Sequence, residues 1–126
     1  MKKRIRSYRD LVVWQKAHEL AKRVIEMCKK FSSTDEARII KNQLIRSCTS
    51  VPANIAEGYS ANRGRVYSNA LTIARREATE TDYWLLLSYE IGYIGEKEYR
   101  EIESGYDEIR AMLSSMISKL EAPEAF

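Results

Sequence analysis

The chain has 126 residues, 44% hydrophobic and 31% charged, a composition that fits one soluble globular domain and excludes disorder as its main state. Five glycines and two prolines are too few for a sandwich of short strands, so helices are favoured. The net charge of +3 is unevenly spread: residues 1–76 contain 17 Lys and Arg against 6 Asp and Glu, whereas residues 77–126 contain 4 against 12. The opposite charges either bring complementary surfaces of neighbouring helices or subunits together, or they leave a basic face that attracts nucleic acid.

The first predicted helix covers residues 10–31 and follows a basic arm at 1–9. Asp10 is its predicted N-cap, and apolar residues then recur at steps of three and four. The second predicted helix covers residues 34–57. A capping box of Ser33 and Glu36 opens it, and Gly58 suits the left-handed position just after its end. Pro52 inside this helix removes a backbone donor and predicts a kink.

The third and fourth predicted helices cover residues 65–91 and 96–120, and a frayed tail follows at 121–126. Apolar residues of the fourth helix form a heptad seam that runs to Met116 and Leu120. Four helices of this length, joined by short connections, must run antiparallel to their neighbours. The sequence therefore predicts an all-α fold, an up-down-up-down four-helix bundle in a single domain.

One segment of the third helix is apolar on every side, because five apolar or aromatic residues follow one another from Tyr83 to Leu87. A monomeric four-helix bundle cannot bury all sides of a helix. The pattern predicts an oligomer interface, or a face for another partner, whose residues are Tyr83, Trp84, Leu86 and Leu87.

No group of residues in the sequence indicates catalysis, a metal or a cofactor. His18 is the only histidine and reads as a surface or boundary residue, while Cys28 and Cys48 occupy apolar helix positions typical of buried free thiols. Glu80 reads as a partner of an arginine or a backbone group rather than as a catalytic acid. No apolar stretch approaches the roughly 20 residues that span a membrane, so we expect a cytoplasmic protein. Because no catalytic group is visible, we also expect that it is not an enzyme.

The basic residues support a hypothesis of nucleic-acid binding to phosphates and shape rather than to base edges. Part of them form the N-terminal arm, and the rest flank Gly64 or lie on the third helix. The candidate contacts are Lys2, Lys3, Arg4, Arg6, Arg63, Arg65, Arg75 and Arg76. The alternative is a scaffold for protein partners alone, in which the opposite charges serve subunit assembly.

Three segments carry a resemblance to a known family. They are YRDLVVWQKAHELA at 8–21, SVPANIAEGY at 50–59 and IGYI at 91–94. The chain resembles the bacterial four-helix-bundle proteins encoded in intervening sequences of 23S rRNA genes, often labelled ribosomal proteins. The most specific part is the segment that holds the signature residues Pro52, Asn54, Glu57 and Gly58.

The resemblance implies a left-handed antiparallel bundle that assembles as a homopentamer around a central channel. The family is also similar in architecture to the accessory variability determinant of diversity-generating retroelements, a basic pentameric barrel that binds a reverse transcriptase and nucleic acid. Besides further copies of this chain, the expected partner is therefore RNA or a reverse transcriptase. Where many relatives have Gly-Ser, this chain has Arg76-Glu77, so either the oligomer contact differs slightly or Arg76 pairs with an acid such as Glu80 one turn away.

Overall fold

The computed structural model describes residues 4–61 and 64–122, and all regular structure in these two stretches is helical. A short 3-10 turn precedes four α-helices, which confirms the predicted all-α class and the number of helices. The turn is Tyr8–Asp10, and the helices are α1 Val12–Cys28, α2 Asp35–Ala61, α3 Gly64–Glu90 and α4 Glu96–Glu121.

Each helix packs against two others: α1 against α2 and α4, and α3 against α2 and α4. Two ion pairs give the relative direction of α1 and α4. Lys16 of α1 meets Glu108 of α4, whereas Arg23, further along α1, meets Glu101, which comes earlier in α4. Because α1 and α4 are antiparallel, the start of α1 and the end of α4 lie at the same end of the molecule.

The core follows the predicted helical periodicity closely in α2 and α3. In α3 the residues that recur at steps of three and four are all buried, namely Tyr67, Leu71, Ala74, Ala78, Thr81, Leu85 and Ser88. In α4 the predicted seam is wrong at its end, where Ile117 is buried in place of Met116 and Leu120 is 38% exposed. A straight α-helix drifts by about 20° per heptad relative to a strict seven-residue repeat, or about 60° over three heptads, which turns Met116 and Leu120 away from the core and Ile117 towards it.

The start of α1 differs from the prediction, because Asp10 caps the preceding turn and not the helix. Its carboxylate accepts hydrogen bonds from the backbone N–H groups of Arg6 and Ser7, at 2.8 and 3.2 Å. Leu11 occupies the N-cap position of α1 without a side-chain cap. The helix also ends at Cys28, three residues before the predicted end, and a turn follows it.

The predicted capping box of α2 is wrong by one residue. The hydroxyl of Thr34, not Ser33, accepts the backbone N–H of Ala37 at 3.3 Å. Glu36 points instead to the connection between α3 and α4, where it accepts the hydroxyl of Tyr93 at 2.8 Å. A cluster of neighbouring Ser and Thr residues offers several chemically equivalent caps, so the pattern alone does not select one.

Gly58 does not end α2, which continues to Ala61, so the predicted end at residue 57 is wrong. A Cβ atom at this position would lie 2.6 Å from the Cβ of Ala70 and 3.1 Å from Cδ1 of Tyr67, both on α3. The glycine is buried and permits close approach of the two helices. A glycine that packs and a glycine that terminates a helix look alike in a single sequence.

Pro52 is buried within the single helix α2. Around it, polar side chains bond to carbonyl groups one turn earlier: Thr49 Oγ1 donates to the carbonyl of Ile45 at 2.7 Å, and Asn54 Nδ2 donates to that of Ser50 at 2.8 Å. Asn54 therefore helps to hold α2 locally. Asn54 does not bond to the carbonyl of Cys48, which is the group that loses its usual N–H donor because residue 52 is a proline.

We expect Tyr106→Phe to raise the free energy of unfolding by about 1 kcal/mol. The ring of Tyr106 is fully buried, and its hydroxyl has no hydrogen-bond partner among the described residues. A buried polar group without a partner costs about 1–3 kcal/mol, and phenylalanine keeps the ring while removing that group. Urea unfolding followed by circular dichroism measures the change. A loss of stability would show that the hydroxyl contributes a bond to the folded state.

Candidate nucleic-acid interface

Ion pairs between helices neutralise part of the opposite charges, which supports complementary helix surfaces as one role of the charge asymmetry. Besides the two pairs between α1 and α4, Arg46 of α2 reaches Glu77 of α3 at 3.0 Å and also bonds to Glu80. The guanidinium of Arg46 lowers the pKa of Glu80, whose carboxylate also accepts Trp84 Nε1 at 3.1 Å. Glu80 is thus the partner of an arginine, as predicted. Of the two alternatives for Arg76, the pair with Glu80 does not form, because Glu80 bonds to Arg46 of α2.

A second group of basic residues lies at one end of the molecule and forms no ion pair with any described residue. We call Arg4, Arg6 and Arg65 the basic end. All three are exposed. Arg65 begins α3 close to the end of α4, where Ser68 donates to Glu121 at 3.2 Å. Three predicted contacts, Lys2, Lys3 and Arg63, lie outside the described residues.

Aromatic rings lie in the turn Tyr8–Asp10 and at the start of α1. Trp14 stacks on His18 with ring centroids 4.7 Å apart, and Tyr8 meets the edge of Trp14 at 5.1 Å. The guanidinium of Arg9 lies over the ring of Tyr8, 5.5 Å from its centroid. His18 is half-buried, as a boundary residue should be. This end of the molecule therefore combines cations with aromatic rings, a combination that suits single-stranded nucleic acids.

The remaining two predicted contacts, Arg75 and Arg76, lie in a groove between α3 and α4 that we call the arginine groove. The groove has a volume of about 380 Å³, and its lining residues are Arg75, Arg76, Thr79, Arg110, Ala111 and Ser114. Arg75 Nη1 donates to the hydroxyl of Ser114 at 3.2 Å. Arg76 is exposed and forms no ion pair with a described residue.

Nothing in the sequence singles out Arg110, because it stands in an acidic segment after Asp107 and Glu108. Its position three turns before the end of α4 is the only available signal. Since α4 is antiparallel to α3, this position faces the middle of α3, where Arg75 and Arg76 lie. Finding it needs the register between the two helices, which a single sequence does not provide.

The predicted interface residues separate into two pairs. Tyr83 and Leu86 are 54% and 38% exposed, whereas Trp84 and Leu87 are partly buried against the core of their own chain. Trp84 is held further by its bond to Glu80. A contact with another subunit at this face, which stays a prediction, would rest mainly on Tyr83 and Leu86.

The signature residues after Pro52 lie beside a smaller groove between α2 and α3, of about 290 Å³. Asn54, Glu57 and Gly58 form its α2 side, and Val66 and Ile73 are exposed apolar residues on its α3 side. Glu57 is exposed, and no described residue bonds to its side chain. Within residues 4–61 and 64–122, no three His, Cys, Asp or Glu side chains are grouped to hold a metal ion. No described helix is long and apolar enough to cross a membrane.

The geometry defines a four-helix protein with a basic end and an arginine-lined groove. Residues 9–115 match the family described as 23S rRNA-intervening sequence protein, and the chain belongs to this family. It is also similar to the crystal structure of a protein of unknown function from the S23 ribosomal protein family of Bacteroides thetaiotaomicron. The two are 36% identical with a TM-score of 0.79, over 84% of this chain and 98% of that one. No curated protein matches the chain significantly.

Proposed function

We propose that the protein is a non-enzymatic, homo-oligomeric helical scaffold of the cytoplasm that associates with RNA through its basic surfaces. In this proposal the helices form a left-handed up-down-up-down bundle, and five copies assemble as a ring around a central channel. A nucleic-acid-processing protein such as a reverse transcriptase is a further proposed partner.

The distribution of paired and unpaired cations carries this proposal. Acidic residues of α3 and α4 neutralise Lys16, Arg23 and Arg46 within the molecule. The basic end and Arg76 have no such partner among the described residues, so their charges are available to phosphates. The family description, which refers to intervening sequences of 23S rRNA, supports RNA as the anionic partner.

We expect the intact protein to bind structured RNA with a strong dependence on salt. Contact with about five duplex phosphates gives a slope of about −4 to −5 in the logarithm of affinity against the logarithm of salt concentration. Light scattering with and without RNA measures mass and binding together, and filter binding at 50 to 200 mM salt gives the slope. A protein that ignores RNA at every salt concentration would refute the proposal.

Two triple variants that lose the same charge distinguish RNA binding at the basic end from a general effect of net charge. Arg4→Gln, Arg6→Gln and Arg65→Gln together should reduce the slope by about 3, because each phosphate contact contributes about one. The control is Lys22→Gln, Lys29→Gln and Arg38→Gln, which removes the same charge from exposed residues already paired on their own helices. Equal losses in both variants would show that binding follows net charge and not this surface.

A scaffold for protein partners alone is the second candidate function. The exposed Tyr83 and Leu86 favour it, because exposed apolar side chains on a rigid helix are typical of protein contacts. In that case the oligomer would leave RNA unbound at low and moderate salt alike.

A further inference from the structure

We infer that the arginine groove between α3 and α4 is a phosphate-binding site, formed by Arg75, Arg76 and Arg110. The inference rests on the proposed function in one respect: the phosphate it takes there belongs to an RNA backbone. The site includes Arg110, which the sequence does not indicate, and it is distinct from the basic end.

Two of the three guanidinium groups are already positioned by the protein. Arg75 is half-buried and bonds to the hydroxyl of Ser114, which holds its head over the groove. Arg110, whose side chain is 23% exposed, bonds to Asp107 through Nη2 and lies 3.7 Å from Asp82 through Nη1. A guanidinium group held in place loses less conformational entropy when it binds an anion.

Arg110 retains an unused donor beside the groove. Its Nη1 atom is buried and makes no hydrogen bond with any described residue, since 3.7 Å to Asp82 is too long for one. A buried charged donor without an acceptor is costly. Because Nη1 has almost no accessible surface, a phosphate oxygen in the groove would satisfy it only if the Arg110 side chain turned outward. Asp82 Oδ1 is likewise buried without a partner, so the pair Asp82–Arg110 is not closed on itself.

The balance of charge in the groove favours an anion. Against three guanidinium groups stand the carboxylates of Asp82 and Asp107, both paired with Arg110, so the net positive charge of the groove comes from Arg75 and Arg76. Asp82 is held beside Arg110, and the side chain of Asp107 is 62% exposed. Of the remaining lining residues, Thr79 and Ser114 bring hydroxyl groups, Ala111 is apolar, and none is acidic.

The shape of the groove fits part of a nucleotide chain. Its volume of about 380 Å³ is at the lower end of the range of about 300–1,000 Å³ typical of ligand sites. Arginine forks bind phosphate oxygens in pairs, which a lysine cannot do. Arg65 lies ten residues before Arg75 on α3, a rise of about 15 Å, so one RNA strand at the basic end can extend into the groove.

The first test uses pyrophosphate as the probe and follows thermal unfolding of the full chain at matched ionic strength against chloride. We expect pyrophosphate to raise Tm of the natural protein, since a ligand of the folded state stabilises it. The rise should disappear in Arg76→Gln and be reduced in Arg110→Lys, which keeps the charge beside Asp82 but loses the fork. Arg38→Gln, an exposed arginine on α2 paired with Asp35, is the control and should keep the full rise. Equal rises in all four proteins would overturn the site.

The second test measures RNA binding by the same variants at low salt. We expect Arg76→Gln combined with Arg110→Lys to weaken RNA binding at least tenfold, while the control keeps its affinity. Unchanged RNA affinity in the double variant would overturn the inference and leave the proposed function intact. If the natural protein binds no RNA but keeps its response to pyrophosphate, the proposed function fails and the phosphate site stands.

Discussion

Replacing Gly58 with leucine is expected to lower the free energy of unfolding by about 3 kcal/mol. Even the first side-chain atom at this position would lie 2.6 Å from the Cβ of Ala70, inside the distance that carbon atoms tolerate. Leucine adds further atoms between α2 and α3, and overpacking of this kind costs about 1–3 kcal/mol, occasionally more. In a domain of this size, the loss corresponds to a fall in Tm of about 10 °C.

Gly105 of α4 provides a matched control, since it is also a glycine in the middle of a helix. A Cβ atom there would lie 2.7 Å from Cδ1 of Leu20, at the end of a flexible side chain that can turn away. Alanine stabilises a helix relative to glycine by about 1 kcal/mol. Gly105→Ala should therefore be neutral or stabilising, whereas Gly58→Ala gains the same propensity but must displace a backbone-anchored Cβ atom.

Urea unfolding of the three variants beside the natural protein measures both effects. If Gly58→Leu and Gly105→Ala changed stability alike, the close contact between α2 and α3 would not be what makes Gly58 important. Stability of Gly58→Leu equal to that of the natural protein would contradict the packing itself.

The sequence predicts the interior of each helix well and the ends poorly, for a physical reason. Burial of apolar side chains repeats with the helical period, so the stripes of α2 and α3 follow directly from the order of residues. Helix ends depend on single hydrogen bonds, and several nearby residues can make them. Asp10 and Ser33 were plausible caps, but Asp10 bonds to the preceding turn and Thr34 takes the place of Ser33.

The candidate site shows the same division between local and distant information. Arg75 and Arg76 are neighbours in sequence and could be selected together. Arg110 joins them only because antiparallel packing brings the middle of α4 to the middle of α3. Glu80 was correctly assigned to an arginine, but its partner is Arg46 on α2 and not Arg76 on its own helix. Pairing across helices needs the register between them, which hydrophobic periodicity does not fix.

Placing acidic residues at Tyr83 and Leu86 together is expected to reduce the proposed oligomer to protomers while the helical circular dichroism remains. Both side chains are exposed in the single chain and lie outside the buried core, so Tyr83→Glu with Leu86→Glu removes only outer contacts such as that of Tyr83 with the edge of the Trp84 ring. At a subunit contact, however, the carboxylates would be buried without partners, a change that costs several kcal/mol at each copy of the interface. Light scattering of the variant and the natural protein at equal concentration measures the mass.

Two further variants make this result specific to the interface. Ile39→Glu changes another exposed apolar residue, 57% exposed on α2, and should leave the mass unchanged. Trp84→Glu should instead unfold part of the protomer, because this ring packs against the core and bonds to Glu80. An oligomer that survives the double change at Tyr83 and Leu86 would place the subunit contact elsewhere. Loss of helical signal in that double variant would show that these two side chains stabilise the protomer itself, and the surplus apolar surface of α3 would then need no second subunit.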